Sequence, residues 1–173
     1  MLGRTMILGL ILTGCAHTSE GPLDVPLGLP RAQIAGELKR FDYCPREEPE
    51  SRTQTFPRCD NPGIDYRDSW VVVEYESDRV TRVRRYERWD DDARATERWS
   101  QLVSERSKTS GQSDAARAIV SSRHDLPPGT RSWQAFKSGE YTVVAVYLLT
   151  PRPPENASIL EEILGTDGAA TAK

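Results

Sequence analysis

Residues 141–149, Tyr-Thr-Val-Val-Ala-Val-Tyr-Leu-Leu, constrain the fold more than any other stretch. They are rich in the β-branched and aromatic side chains that fit a pleated backbone. They are also apolar at odd and even positions alike. Successive side chains of a strand point to opposite faces, so a strand of this composition needs cover on both and belongs inside a sheet. Pro151, Pro153 and Pro154 end it. On its N-terminal side, Ser138-Gly139 separates it from a second strand-like run, 131–137. A two-residue turn there sets Lys137 opposite Glu140, Phe136 opposite Tyr141 and Trp133 opposite Val144, all favourable across a sheet.

A second hairpin is written into 70–76 and 80–89, flanking Ser77-Asp78-Arg79. A three-residue loop places Val73 opposite Val83 and Glu74 opposite Arg82, matching apolar with apolar and acid with base. Its second strand carries Arg79, Arg82, Arg84, Arg85 and Arg88. Two readings stand for these arginines: a binding surface for phosphate or lipid headgroups, or an edge strand guarded by charge against aggregation.

Helical periods fill much of the remainder. Ile34, Leu38 and Phe41 mark a short helix over 30–41, opened by Pro30. Asp90, Asp91 and Asp92 precede Ala95, Trp99, Leu102 and Val103, where acids cap a helix that ends before Gly111. Ser113 caps a further helix with Ala115, Ala116, Ile119 and Val120 inward. Asn156 is expected to cap a last one, with Ile159, Leu160, Ile163 and Leu164 inward and Glu161 and Glu162 outward. The sum is an α+β domain: an antiparallel sheet of about four strands, from two hairpins, with helices mainly on one face.

At the N-terminus, Arg4 precedes an apolar run over 6–12, then two small residues and Cys15, the layout of a secretion signal. The run is too short to span a bilayer, which takes about twenty apolar residues. Leu12-Thr13-Gly14-Cys15 resembles the lipobox of bacterial lipoproteins. The resemblance implies that Cys15 becomes the acylated first residue of the mature chain, with the membrane as its partner and the cell envelope as its compartment. Ala16 stands where an Asp retains such proteins at the inner membrane, so the outer membrane is implied. The expected layout is a leader over 1–14, a flexible tether over 15–29, one domain over 30–165 and a frayed tail over 166–173. Export favours disulfides, and Cys44 and Cys59 are the two thiols left to pair. Their bridge would tie a loop over 44–59, with a short strand near 53–56, and this loop is the leading candidate for a partner-facing surface. Residues 27–30 through Leu38, followed by the Val-rich hairpin, also resemble the small SmpA/OmlA-type outer-membrane lipoproteins. That likeness implies an assembly accessory. It departs in the cysteine loop and in the helices between the hairpins, and no binding residues are carried over from it.

Composition excludes other classes. Lys and Arg number 23 against 26 Asp and Glu, a net charge of −3, so there is no basic field for nucleic acid. The histidines are His17, in the expected tether, and His124, and neither accompanies the cysteine pair at a ligand spacing, which argues against a metal site. Asp60, Asn61, Gly63 and Asp65 faintly match an oxygen-ligand loop, but Pro62 and the lack of a bidentate Glu argue against calcium. His124 is the conventional general base within the folded part, yet no Gly-x-Ser-x-Gly elbow presents a nucleophile. A place near a helix C-terminus accounts for a histidine without catalysis. The expectation is therefore a noncatalytic envelope lipoprotein, without metal or cofactor, that binds another envelope protein. A small-ligand or lipid-binding module, marked by open space beside Val143, Ala145 and Tyr147, is second. A hydrolase using His124 is third.

Overall fold

The computed structural model describes residues 21–46, 51–60, 69–111, 113–123, 125–154 and 156–166. The leader, Cys15, His17, His124, and Asn61, Gly63 and Asp65 of the oxygen-ligand match lie outside the described residues, as does the tail from 167. In chain order the elements are α1 (Arg31–Lys39), β1 (Thr53–Pro57), β2 (Ser69–Glu76), β3 (Arg79–Glu87), α2 (Asp92–Thr109), α3 (Asp114–Arg123), β4 (Thr130–Lys137), β5 (Thr142–Leu149) and β6 (Ile159–Gly165). The fold is α+β. Its strands form one sheet in the order β1-β2-β3-β6-β5-β4, six strands rather than about four, with every neighbouring pair antiparallel.

The largest departure from expectation is β6. Residues 159–165 form a strand, not a capped helix, and it lies between β3 and β5. Ile-Leu-Glu-Glu-Ile-Leu fits a helical face and a two-sided strand equally well, because its apolar residues come in pairs. Tertiary context decides. Glu161 and Glu162 are buried, as are Ile159, Leu160, Ile163 and Leu164. Register sets Arg85 opposite Glu161 and Arg84 opposite Glu162. A helix would have pointed both acids into water; the strand brings them to distant arginines.

The first hairpin keeps the expected pairs, Val73 with Val83 and Glu74 with Arg82, by another route. Its turn has two residues, Ser77 and Asp78, both at positive φ, the combination that matches strand twist. A register shift between Glu74 and Tyr75 then leaves Thr81 unpaired as a bulge, and Thr81 Oγ1 donates to the Glu74 carbonyl at 3.2 Å. In the second hairpin the register differs by three: Phe136 faces Val144 and Trp133 faces Tyr147. The connection is longer than two residues, Ser138 N donating to Thr142 O at 2.9 Å, and Tyr141 stays 58% exposed. The shift brings the apolar centres of both strands together in place of Tyr141.

Capping follows the sequence: Asp91 accepts from Arg94 N, and Ser113 from Ala116 N at 3.3 Å. On α3, Ala116 and Val120 are buried and Ile119 is half-buried, whereas Ala115 is exposed. The helices divide between the faces. Ile34 and Leu38 of α1 and Leu102 of α2 share a core cluster with Val73, Val83, Val144 and Ile163. Ala116 and Val120 of α3 pack on the other face against Val143, Ala145 and Tyr147. As its composition requires, β5 is buried on both sides.

Residues 21–29, expected as part of a flexible tether, are packed on the domain. From Gly21 onward the chain is laid into the domain, with Leu23 and Val25 buried and Leu27 and Leu29 half-buried in the α1/α2 core. Burying Leu23 and Val25 stabilises by about 1.5–3 kcal/mol each. Residues 21–29 are called the strap below. No described helix is long and apolar enough to cross a membrane.

Candidate functional site

The most developed chemistry lies between the sheet, α2 and the strap. Alternation along β3 points Arg85 and Glu87 to the same face as Val83, and alternation along β6 points Glu161 there too. α2 presents Arg98 and Arg106, eight residues apart on one buried stripe. Glu161 Oε2 lies 2.7 Å from Arg85 Nη2, and its Oε1 accepts from Arg106 Nη2 at 2.8 Å and Nε at 2.9 Å. Glu87 takes a two-pronged pair from Arg98, Nη2 and Nε each at 2.9 Å, and lies 3.6 Å from Arg85. All five charged residues are buried.

This network grips the strap by its backbone. Arg85 Nη1 donates to Gly21 O at 2.9 Å, Leu23 N donates to Glu161 Oε2 at 3.2 Å, and Arg106 Nη2 donates to Leu23 O. At the far end Arg79 Nη1 donates to Gly28 O at 2.8 Å, while Gly28 N to Val80 O (2.8 Å) and Val80 N to Leu29 O (2.9 Å) complete a short ladder.

Electrostatics follows from this packing. Burial alone would raise Glu87, but Arg85's charge, the hydrogen bond and charge of Arg98 and the Trp89 indole hold its carboxyl below the ordinary range. Burial works against the charge of Arg85, and Glu161 and Glu87 outweigh it, so its pKa is raised and it stays a cation. Burial raises Tyr43, with Arg85 opposing, so its hydroxyl stays neutral. A depressed folded-state carboxylate contributes stability that is present above its unfolded pKa and lost as pH falls through the folded one. For Glu87 the loss begins below about pH 4.3, the unperturbed glutamate value. Denaturant midpoints measured from pH 7 downward should hold until that range and then fall. In Glu87→Gln the part of the fall due to this residue should be missing.

The five arginines of the second strand do not make one surface. β3 is neither an edge nor an open face; it lies between β2 and β6. Arg85 is fully buried on the strap side. On the opposite face, Arg82 Nε lies 3.1 Å from Glu162 Oε1, and Arg84 pairs with Glu74. Glu162 also accepts from Tyr147 OH at 3.2 Å. Arg88 stacks over Trp70, 5.4 Å from its centroid, and Trp70 stacks on Tyr86. Arg79 holds the strap. These guanidinium groups are engaged within the fold, largely with partners remote in sequence.

Cys44 and Cys59 form a disulfide. Among the described residues of the segment they tie, 53–57 form a strand. β1 pairs with β2, and on its outer side Tyr43 bridges Arg58, with Cys44 N donating to Pro57 O at 3.0 Å and Cys59 N to Asp42 O at 2.9 Å. Tyr43, next to the bridge, is fully buried beside Ser69.

Where open space beside Val143, Ala145 and Tyr147 would mark a ligand module, these residues are fully buried against Ala116, Val120 and Ala135. A cavity of about 280 Å³ lies elsewhere, between strap residues 24–27 and Ser138, Thr142, Val144 and Ile163. Among the described residues no group of three or more His, Cys, Asp and Glu could hold a metal ion. The signal missed in sequence was the alternation Leu23, Val25, Leu27, Leu29, a strand period masked by intervening Pro and Gly. Arg98 and Arg106 carry no local signal, because their partners Glu87 and Glu161 lie on other elements.

No family model, no curated protein and no solved structure matches this chain.

Proposed function

We propose that this chain is a membrane-anchored envelope lipoprotein, acylated at Cys15, that works without catalysis as a protein-binding or assembly accessory. The observation that carries the reading is the Leu12-Thr13-Gly14-Cys15 motif behind its charged and apolar leader. The disulfide between Cys44 and Cys59 supports it, because such bonds persist in oxidising compartments. With Gly21 already held by Arg85, residues 16–20 alone separate the acylated cysteine from the folded surface. At about 3.5 Å per residue the reach is about 20 Å, so the domain rides close to the bilayer and does not swing on a long tether. The outer membrane and the likeness to SmpA/OmlA-type lipoproteins belong to the same reading, with the 44–59 segment as the face offered to a partner. The carboxylates of the buried network are saturated by guanidinium groups, which suits a structural role better than proton transfer.

A small-ligand module is the second reading, favoured by the strap-side cavity. Its volume falls just short of the 300–1,000 Å³ usual for ligand sites.

The test is direct. In a bacterial host, Cys15→Ser should abolish incorporation of labelled fatty acid and release the protein from the membrane fraction. Affinity capture with the mature lipoprotein should recover an envelope protein that cross-links to the 44–59 segment. A wild-type chain found in the cytosol with Met1 intact and both loop thiols free would overturn the reading.

A further inference from the structure

The strap is seated as a bound peptide is seated. Leu23, Val25, Leu27 and Leu29 point into the domain at every second position, and Asp24, Pro26 and Gly28 are exposed. Over its first half the main chain is held by side chains, Arg85, Arg106 and Glu161, and by no neighbouring strand. Carbonyl and amide groups are common to every peptide, so these contacts read an extended backbone and not its sequence. Beside 24–27 a half-open cleft of about 280 Å³ flanks the strap, while Val25 stays buried. Lifting the strap out would strip Arg85, Arg106 and Glu161 of its carbonyl and amide partners, at the cost of those hydrogen bonds. Replacement by another extended chain avoids that cost.

We infer that the groove between β3, β6 and α2 is a binding site for an extended peptide with aliphatic side chains at alternate positions. Residues 21–29 are its intramolecular occupant, exchangeable for such a segment of an envelope protein. The inference rests on the protein-binding reading above and names the partner's chemistry. It does not depend on acylation. Because the strap precedes the folded body by no linker, its local concentration is in the millimolar range of short tethers, and it outcompetes weak peptides until it is displaced.

The probe is a fluorescent peptide of residues 21–29 added to the full chain. The wild-type protein should bind it weakly. Leu23→Ser with Val25→Ser, which loosens the strap, should bind it at least tenfold more tightly, and adding Glu161→Gln should reverse that gain. Equal, weak binding by all three folded proteins overturns the inference. A concentration-dependent dimer in the double variant, without peptide uptake, overturns it in favour of strap exchange between two copies. Should the double or the triple variant fail to fold, hydrogen exchange on the wild-type chain decides. The Leu23 amide should exchange through an opening at least tenfold more frequent than that of Val144 or Val146 in β5. Exchange of all three only with global unfolding overturns the inference. Failure here with successful capture from membranes leaves the accessory reading in place and moves its interface elsewhere.

Discussion

Glu161→Ala should lower the unfolding free energy by about 3–5 kcal/mol, the cost of removing one partner from a buried ion pair. The effect is large because the carboxylate is fully buried and serves three groups at once: Arg85, Arg106 and the Leu23 amide. Its loss leaves two guanidinium groups without their shared counter-charge and releases the strap's first turn of contacts. A domain of this size has about 5–15 kcal/mol in total, so the variant should be near the edge of folding at 37 °C. The control is Glu162→Gln. That residue is on the other face with Arg82, whose side chain is 27% exposed, so water can replace part of what is lost. Urea unfolding of the two variants checks the ordering. A Glu161 variant no less stable than the Glu162 variant would sink the account of the network.

Breaking the disulfide comes next. Cys44→Ala with Cys59→Ala should cost about 3 kcal/mol, the loop-closure term for the 15-residue separation of the two cysteines. Both cysteines are half-buried, so reductant added to the wild-type chain should reach the bond and give the same shift. The loosening should concentrate at β1, an outer strand whose far side is held by Tyr43 and Cys44, and spare β5 and β6. Denaturant midpoints with and without reductant, together with amide exchange in β1, measure it. An unchanged midpoint after complete reduction contradicts the prediction.

Features governed by local chemistry were legible in the sequence. The Asp91 cap, the Cys44–Cys59 bridge, a strand near 53–56 and the two-sided burial of β5 were legible, as were the Val73–Val83 and Glu74–Arg82 pairs, although a tighter turn with a bulge produces them. Features governed by distant partners were not. β6 passed for a helix because the residues that make burial of Glu161 and Glu162 tolerable lie 55 to 80 positions earlier, at Arg82, Arg85 and Arg106. The same ion pairs hid the nature of the arginine-rich strand, which reads as a surface until its acids are found. The second hairpin slipped in register because Ser138-Gly139 fits a tight turn locally, whereas the pairing of apolar centres across β4 and β5 favoured a longer one. The strap was missed because Pro and Gly outweighed a four-fold alternation.

The position of β6 also governs how the molecule comes into being. The hairpins β2–β3 and β4–β5 do not touch each other as strands; the last segment of the domain to be synthesised is the one that joins them. A ribosome delivers the N-terminal part first, so two separate ribbons must wait, each with an open edge, until residues 159–165 arrive. Pairing of such remote segments is slow. A chain cut short before residue 159 would hold its two hairpins together through α2, by Arg98 to Glu87 of β3 and Trp99 to the Val146 carbonyl of β5.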